Sequence, residues 1–564
     1  MRRTIFLIAV LLAGQTGFSR AAPEPWASSP ERVHLQLSER VIGAGETLWF
    51  QGTLLGDPSL STVLYAEVLS RAGAVVQGIF AVEDGVARGQ LSLPDTLSGG
   101  WYQVRAYTQW MRNEGPTAFA TRPLLVVNAY EDQLSVSASG QRASERQASF
   151  REEGAQATVQ ITLDQARYQP REPVTMRLQL ADVAQRAGVA VRVRKVDPIS
   201  RYQPPAERAA GPAETSTDLP RYSWEDDGLT LSGSVTGMDQ STADRTVILS
   251  IPGSDPYFEY DFVDQQNRFR IPINKRRQGE QEVVLQTADT TLRVQWTIDK
   301  KFAPENTYTR EVFPEVPAAV LQELLAAYTQ RSRINAQYDL YRPVDSAAVD
   351  NRSDFRFYGA PNFTVRSDDY VALPNFVEVN RELMPGVRLR NRQGTYNFDV
   401  FDIPTRTFLE GEPAVFIDGV LIRDLNYLVN FSPSEIERIE TVNRRTYYGE
   451  YRFDGVIAVY TRSGDAYGPA LSPTARQEQV TLYTAPRAFA FREAREAYEP
   501  DFRSLLHWQP LVTLQDNPLE IEVINSDELG TFEVIVEGVT DGGEPIFARV
   551  TYTVELTAPA AAKE

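Results

Sequence analysis

At 564 residues the chain has room for several separate cores, and with 42% apolar and 10% aromatic residues disorder is excluded for most of its length. Its net charge of −18 argues against nucleic acid or an anionic membrane surface as partner, since both need a basic footprint. There is no cysteine, which removes disulfides, thiolate metal sites, cysteine nucleophiles and thiol lipidation, so burial alone must hold the domains together.

Residues 1–21 read as a signal peptide: Arg2-Arg3, an apolar run Ile5 to Ala13, and small residues before a cut after Ala21. That run is shorter than the ~20 residues a span needs, and no later segment approaches that length, so no transmembrane segment is expected in the mature chain. Over 31–130 period-2 strands broken by Gly, Pro and Asp predict an antiparallel sandwich, with "GGWYQVRAYTQWM" as its last long strand. A second, shorter unit is predicted over 155–198, where Val174, Met176, Leu178 and Leu180 alternate with polar residues. The Pro-, Ala- and Ser-rich stretch 199–226 reads as an exposed linker. Strands return over 227–302, and over 312–340 Val320, Leu321, Leu324, Leu325 and Tyr328 form one stripe of a connecting helix expected to pack on a neighbouring sandwich. In the segment 355–468 an apolar run Ala414 to Ile417 meets Asp418-Gly419, the strongest short hairpin signal. Ser432-x-x-Glu435 predicts a capped helical turn, and Gly455 a turn before a strand Val456 to Thr461. A last sandwich is predicted over 475–558. The fold class is therefore mainly β, tandem sandwiches with a small α+β domain.

The motifs "GAGETLWFQG" (Gly43 to Gly52), "GVARGQLSLP" and "GGWYQVRAY" resemble a macroglobulin-like domain, which implies an immunoglobulin-like sandwich. Leu231-Ser232-Gly233-Ser234-Val235 with Asn267-Arg268-Phe269 resembles a carboxypeptidase regulatory-like domain, which implies a β-sandwich without catalytic residues. Pro413 to Gly464, with the upstream segment Asn375 to Arg390, resembles the plug domain of TonB-dependent outer-membrane receptors. "HWQP" and "GTFEVIVEG" in the last unit resemble the α-macroglobulin domain with a W-x-P pattern; the thioester motif of that family needs a cysteine and is absent. The combination resembles Bacteroidetes-type envelope proteins. A receptor barrel of about 22 strands needs several hundred residues more than remain after the plug-like segment.

The two histidines, His34 and His507, read as strand residues, and no nucleophile, P-loop, dinucleotide or zinc motif is present. The pairs Asp226-Asp227 and Asp368-Asp369 point to opposite sides of an extended chain and form no dyad. Trp49, Trp101, Tyr102, Trp110 and Trp508 lie in strand patterns and are expected in cores. Asp418, Gly419, Gly449 and Gly455 match the plug motif and are assigned turn geometry. No catalytic, cofactor-binding or metal residue is expected, and no cofactor. The function these readings imply is that of a non-enzymatic exported envelope protein, periplasmic or outer-membrane-associated. It would dock on an outer-membrane barrel or secretion component. The alternative is an accessory of TonB-dependent transport working with a separately encoded barrel.

Overall fold

A computed structural model of the chain describes residues 31–56, 61–134, 159–180, 187–200, 202, 221–239, 242–308, 313–338, 356–487, 489, 498–514, 517–540 and 545–556. The expected signal peptide and the middle of the 199–226 linker lie outside them. Within them the protein is mainly β, and no helix is long and apolar enough to cross a membrane.

The first eight strands form one sheet that closes over Leu35, Phe50, Leu64, Phe80, Val104 and Val126. Its strand Gly100–Tyr107 ends sooner than the run of aromatics suggests. Thr108 turns the chain there, its hydroxyl donating to Glu31 and accepting from the Met111 N–H, and a single 3-10 turn Trp110–Asn113 comes next. A further strand, Ala120–Val127, then pairs antiparallel with Gly100–Tyr107.

The units expected at 155–198 and 475–558 are not separate. Strand Ala187–Lys195 lies between Leu505–Leu514 on one side and Gly530–Thr540 on the other, antiparallel to both. Strand Pro173–Leu180 lies between Val159–Leu163 and Leu519–Ile524. These two sheets share one core, with Val174, Met176, Leu178, Val189, Val191 and Val193 from the first segment against Leu506, Val512, Phe532, Val534 and Val536 from the second. The reason is physical: a three- or four-strand piece with one apolar face cannot stand in water until something covers that face.

The same closure recurs one level in. Strands Leu229–Thr236, Arg268–Ile273 and Gln295–Ile298 face a second sheet of Tyr257–Phe262, Thr246–Ile251 and Glu280–Thr287. The edge of that second sheet is Arg476–Thr481, which belongs to this sandwich and not to the C-terminal unit. Between Ile298 and Arg476 the chain makes helix α1 (Ala318–Tyr338) and then the α+β module, residues 356–471. The protein is thus nested: the module is an insertion in one sandwich, itself an insertion in another. Helix α1 packs Leu321, Leu324 and Leu325 on Val41, Leu125 and Val127 of the first sandwich, as its stripe predicts. Arg331 on the same helix donates to Ser504 Oγ at 2.7 Å and to Glu46, tying the first sandwich to the returning chain.

The ends of the 199–226 linker are anchored, in contrast to the exposed stretch expected. Ile199 is buried with helix α1, and Trp224 stacks on Trp110 at 3.8 Å. Glu225 is buried and accepts from the Tyr65 hydroxyl at 3.0 Å.

Candidate functional site

The module holds the residues that the sequence singles out. Its main sheet runs Phe363–Arg366, Ile436–Tyr448, Tyr451–Thr461, Ala414–Ile417, Val420–Ile422, with Ala414–Ile417 parallel to Tyr451–Thr461 and the other pairs antiparallel. A second sheet, Val387–Arg392, Thr395–Asp402 and Thr407–Phe408, comes after helix α2 (Phe376–Leu383), which Asn375 caps by accepting from the Glu378 N–H. The predicted capping box at Ser432 is not made. Ser432 Oγ shares a hydrogen bond with Ser434 Oγ, Pro433–Glu435 is one 3-10 turn, and Ile436 already begins a strand. The α-helix lies earlier, α3 (Leu425–Val429), with Asp424 as its cap.

Asp418 and Gly419 form the expected two-residue hairpin turn, both at positive φ, 51° and 84°. Asp418 is buried, and its carboxylate accepts from Thr461 N and Oγ1, each at 2.7 Å, and from Ala466 N at 3.0 Å. Burial pushes that carboxyl above its usual range, against the pull of these donors. Its role is to staple the hairpin to the end of the neighbouring strand. Gly449 turns the hairpin between Tyr448 and Tyr451, and Gly455 sits inside the strand Tyr451–Thr461 opposite a register shift, where a Cβ would meet Val400 at 3.0 Å. Gly455 therefore faces a bulge at Asn443 and Arg444 of the partner strand and is not the start of its own strand.

What the sequence does not disclose is where these turns point. Both face the third sandwich, which carries Tyr257–Phe262. The Gly253 N–H donates to the Asp418 carbonyl at 3.1 Å, and a Cβ on Gly419 would lie 2.0 Å from Pro256 Cβ. The Tyr260 hydroxyl accepts from the Glu450 N–H at 2.6 Å, and Tyr448 donates to Glu259 at 2.9 Å. Phe258 enters the module's aromatic cluster, 4.4 Å from Phe357 and 5.6 Å from Phe416 between ring centroids. Gln286 donates to the Leu421 carbonyl at 3.0 Å, covering the edge strand. These turns are thus spent on an internal seam.

Beneath that seam lies a charged network with no signal in the sequence. Glu440, buried, accepts from Arg356 Nε at 2.6 Å and Nη2 at 2.9 Å and from the Tyr358 hydroxyl at 2.7 Å. Burial works to raise the Glu440 carboxyl, but Arg356 and Tyr358 outweigh it and hold the group below its usual range. A second such network joins the first and third sandwiches, where Arg105 Nε donates to Glu67 at 2.6 Å and Nη2 to the Ala303 carbonyl at 2.8 Å.

No other candidate forms a reactive constellation. His34 lies 3.6 Å from Glu537, and His507 is bonded to Gln509 at 3.2 Å, with burial holding its pKa down. Asp226 and Asp227 are exposed, as are Asp368 and Asp369, and Asp368 pairs with Arg462. Trp49 and Trp508 are buried together between the first and composite sandwiches, Trp101 stacks on Phe313 at 5.4 Å, and the Tyr102 hydroxyl donates to Ser98. Among the described residues no group of three or more His, Cys, Asp or Glu is placed to hold a metal ion.

The fold so described is a mainly β array of sandwiches carrying an α+β module. No protein-family model matches the chain, and no curated protein matches it. Among solved structures it is similar to the α2-macroglobulin of Salmonella, at 8% identity and a TM-score of 0.23 over 93% of this chain and 39% of that one. It is similar at the same level to trypsin-activated α2-macroglobulin from Escherichia coli, 8% identity and TM-score 0.23, covering 93% of this chain and 42% of that one. A tetra-tandem repeat from a large adhesion protein matches at 9% identity and TM-score 0.14, over 93% and 99%. The chain spans about two fifths of the length of the macroglobulins it matches. At these scores the likeness assigns neither domain nor activity.

Proposed function

We propose that this protein is a non-enzymatic, exported envelope protein whose plug-like module, carried on a stem of macroglobulin-like and regulatory-like sandwiches, docks on an outer-membrane barrel or secretion component. The observation that carries this reading is the way the module is mounted. Its recognisable turns, Asp418-Gly419 and Tyr448 to Tyr451, both bond to the third sandwich, the first of them buried there, so a partner must use other surfaces. The module exposes apolar side chains of its own, more for its length than the sandwiches do. Six of the fourteen large apolar residues exposed among the described residues belong to the module: Tyr370, Val371, Val377, Ile403, Phe408 and Tyr447. Tyr447 is 62% exposed on the face opposite to Tyr448, which is committed to Glu259.

The test is crosslinking in the native envelope and then purification in mild detergent. The expected result is a barrel or secretion component recovered with the wild-type chain, and at least about tenfold less with Val371→Asp or Tyr447→Asp, because a charge in a desolvated apolar contact costs several kcal/mol. Recovery of a barrel would favour the transport-accessory form of the reading. Recovery of no envelope protein with the wild-type chain would reject the docking role.

A further inference from the structure

A cleft of about 330 Å³, counted with its open mouth, lies where the first sandwich meets the composite one. It is lined by Arg40 from the first sandwich and by Arg192, Arg194, Arg549, Glu533 and Ser200. Arg192 and Arg194 stand on the same strand, Ala187–Lys195, two residues apart and therefore on one face. The packing of two domains has brought four guanidiniums around one opening.

The acids here do not balance them. Glu533 is fully engaged, accepting from Arg194 Nε at 2.8 Å and Arg549 Nε at 2.6 Å. Glu537 accepts from Arg192 Nη2 at 2.9 Å and lies 3.6 Å from His34. Asp197 is 3.5 Å from Arg194. Four guanidiniums thus share three carboxylates, Glu533, Glu537 and Asp197. Glu39, the next acid along, is itself held partly protonated near neutral pH, its pKa pushed up to about 7 by burial and by Glu46. Burial and the guanidiniums of Arg194 and Arg122 hold Arg40 below the ordinary arginine range, the response of a cation placed among cations.

Two donors here are also unspent. Arg192 is buried, at 7% exposure; Nη1 donates to the Leu37 carbonyl and Nη2 to Glu537, but its Nε–H is buried without a hydrogen-bond partner. The Ser200 hydroxyl is likewise buried and unpartnered. Buried donors left unmade are costly, and the excess positive charge beside them says which kind of group would satisfy them.

We propose that this cleft is a binding site for a small oxyanion, a phosphate or sulfate group, held by Arg40, Arg192 and Ser200 between the first sandwich and the composite one. A guanidinium fork matches tetrahedral oxyanions in geometry as well as charge. The site is independent of the docking surface on the module. Bound there, the ion would bridge Arg40 and Ser200 to Arg192 and lock the two sandwiches in register.

Isothermal titration calorimetry of the full chain with sodium phosphate and with sodium sulfate, at constant ionic strength made up with chloride, tests this. The expected result is saturable binding to one site by both ions, weakened at least tenfold in Arg40→Gln and measurably in Ser200→Ala, neither of which removes a described ion pair. Glucose 1-phosphate in place of phosphate separates the sources: binding as tight as phosphate or tighter means the group arrives on a larger molecule, and absence of binding means a free ion. No saturable binding of phosphate or sulfate by the wild-type chain, or equal binding by wild type and Arg40→Gln, overturns the proposal.

Discussion

A chain ended after residue 487 loses the fold of residues 159–195, although every residue of that segment is still present. Its strand Ala187–Lys195 would lose both neighbours, Leu505–Leu514 and Gly530–Thr540, and Pro173–Leu180 would keep only Val159–Leu163. Val174, Met176, Leu178, Val189, Val191 and Val193 would face water, at roughly 1.5–3 kcal/mol for each side chain fully exposed. That sum is comparable to, or larger than, the whole stability of a typical domain. The sandwich built from Leu229–Ile298 and Arg476–Thr481 keeps all its strands in such a chain, and so does the module inside it. Limited proteolysis with mass spectrometry should find new cuts within 159–195 and unchanged protection over 229–298 and 414–461. Protection of 159–195 in the shortened chain would mean that the first segment folds alone.

Gly419→Ala should be the most damaging glycine substitution in the α+β module. The new Cβ adds left-handed backbone strain, about 1 kcal/mol at φ 84°, to a collision with Pro256 at 2.0 Å that neither backbone can evade cheaply. Overpacking of this kind costs about 1–3 kcal/mol, so a total of about 2–4 kcal/mol is expected. Gly394→Ala is the control, since it has φ 89° with nothing within 4 Å and should show the backbone term alone. Gly449→Ala should fall between them, because the obstructing atom is the far end of the Tyr260 side chain. Hydrogen exchange across Ala414–Ile417 and Tyr451–Thr461 reads the effect. Equal acceleration by Gly419→Ala and Gly394→Ala would show that the seam with the third sandwich is not tight.

The local half of this architecture is legible in the sequence. Val174 to Leu180 alternate as they do in the sheet, the stripe on α1 faces the first sandwich, and Asp418-Gly419 makes the hairpin its dipeptide signals. The pairing is not legible. A period of two says that a strand has one dry face, and it says nothing of whether the strand that covers it is ten residues away or more than three hundred. For the same reason Arg476–Thr481 reads as the start of the C-terminal unit, whereas it pairs with Glu280–Thr287 of the third sandwich. The error at Ser432 is of another kind. Its motif is a true capping sequence, but Ile436 and Ile439 are β-branched and gain more from the sheet, where both are buried, than from a helical turn. The network of Glu440, Arg356 and Tyr358 had no signal, since a Glu in a strand looks solvated until a partner from another segment reaches it. The arginine cleft was hidden for the same reason, its parts lying at 40, 192 to 200 and 533 to 549.

The nested closure on which the stem and its module depend is open to one direct measurement. The chain has no cysteine, so a pair placed by substitution has no native thiol to compete with it. Thr175 and Glu522 are register partners on the outer face of adjacent strands, beside the cross-strand ion pair of Arg177 with Glu520. With Thr175→Cys and Glu522→Cys together, mild oxidation of the folded protein should form an intramolecular disulfide in nearly every molecule, because cross-strand partners bring their Cβ atoms within bonding range. Free thiols persisting in the folded double variant would place residues 175 and 522 in different domains and contradict the account.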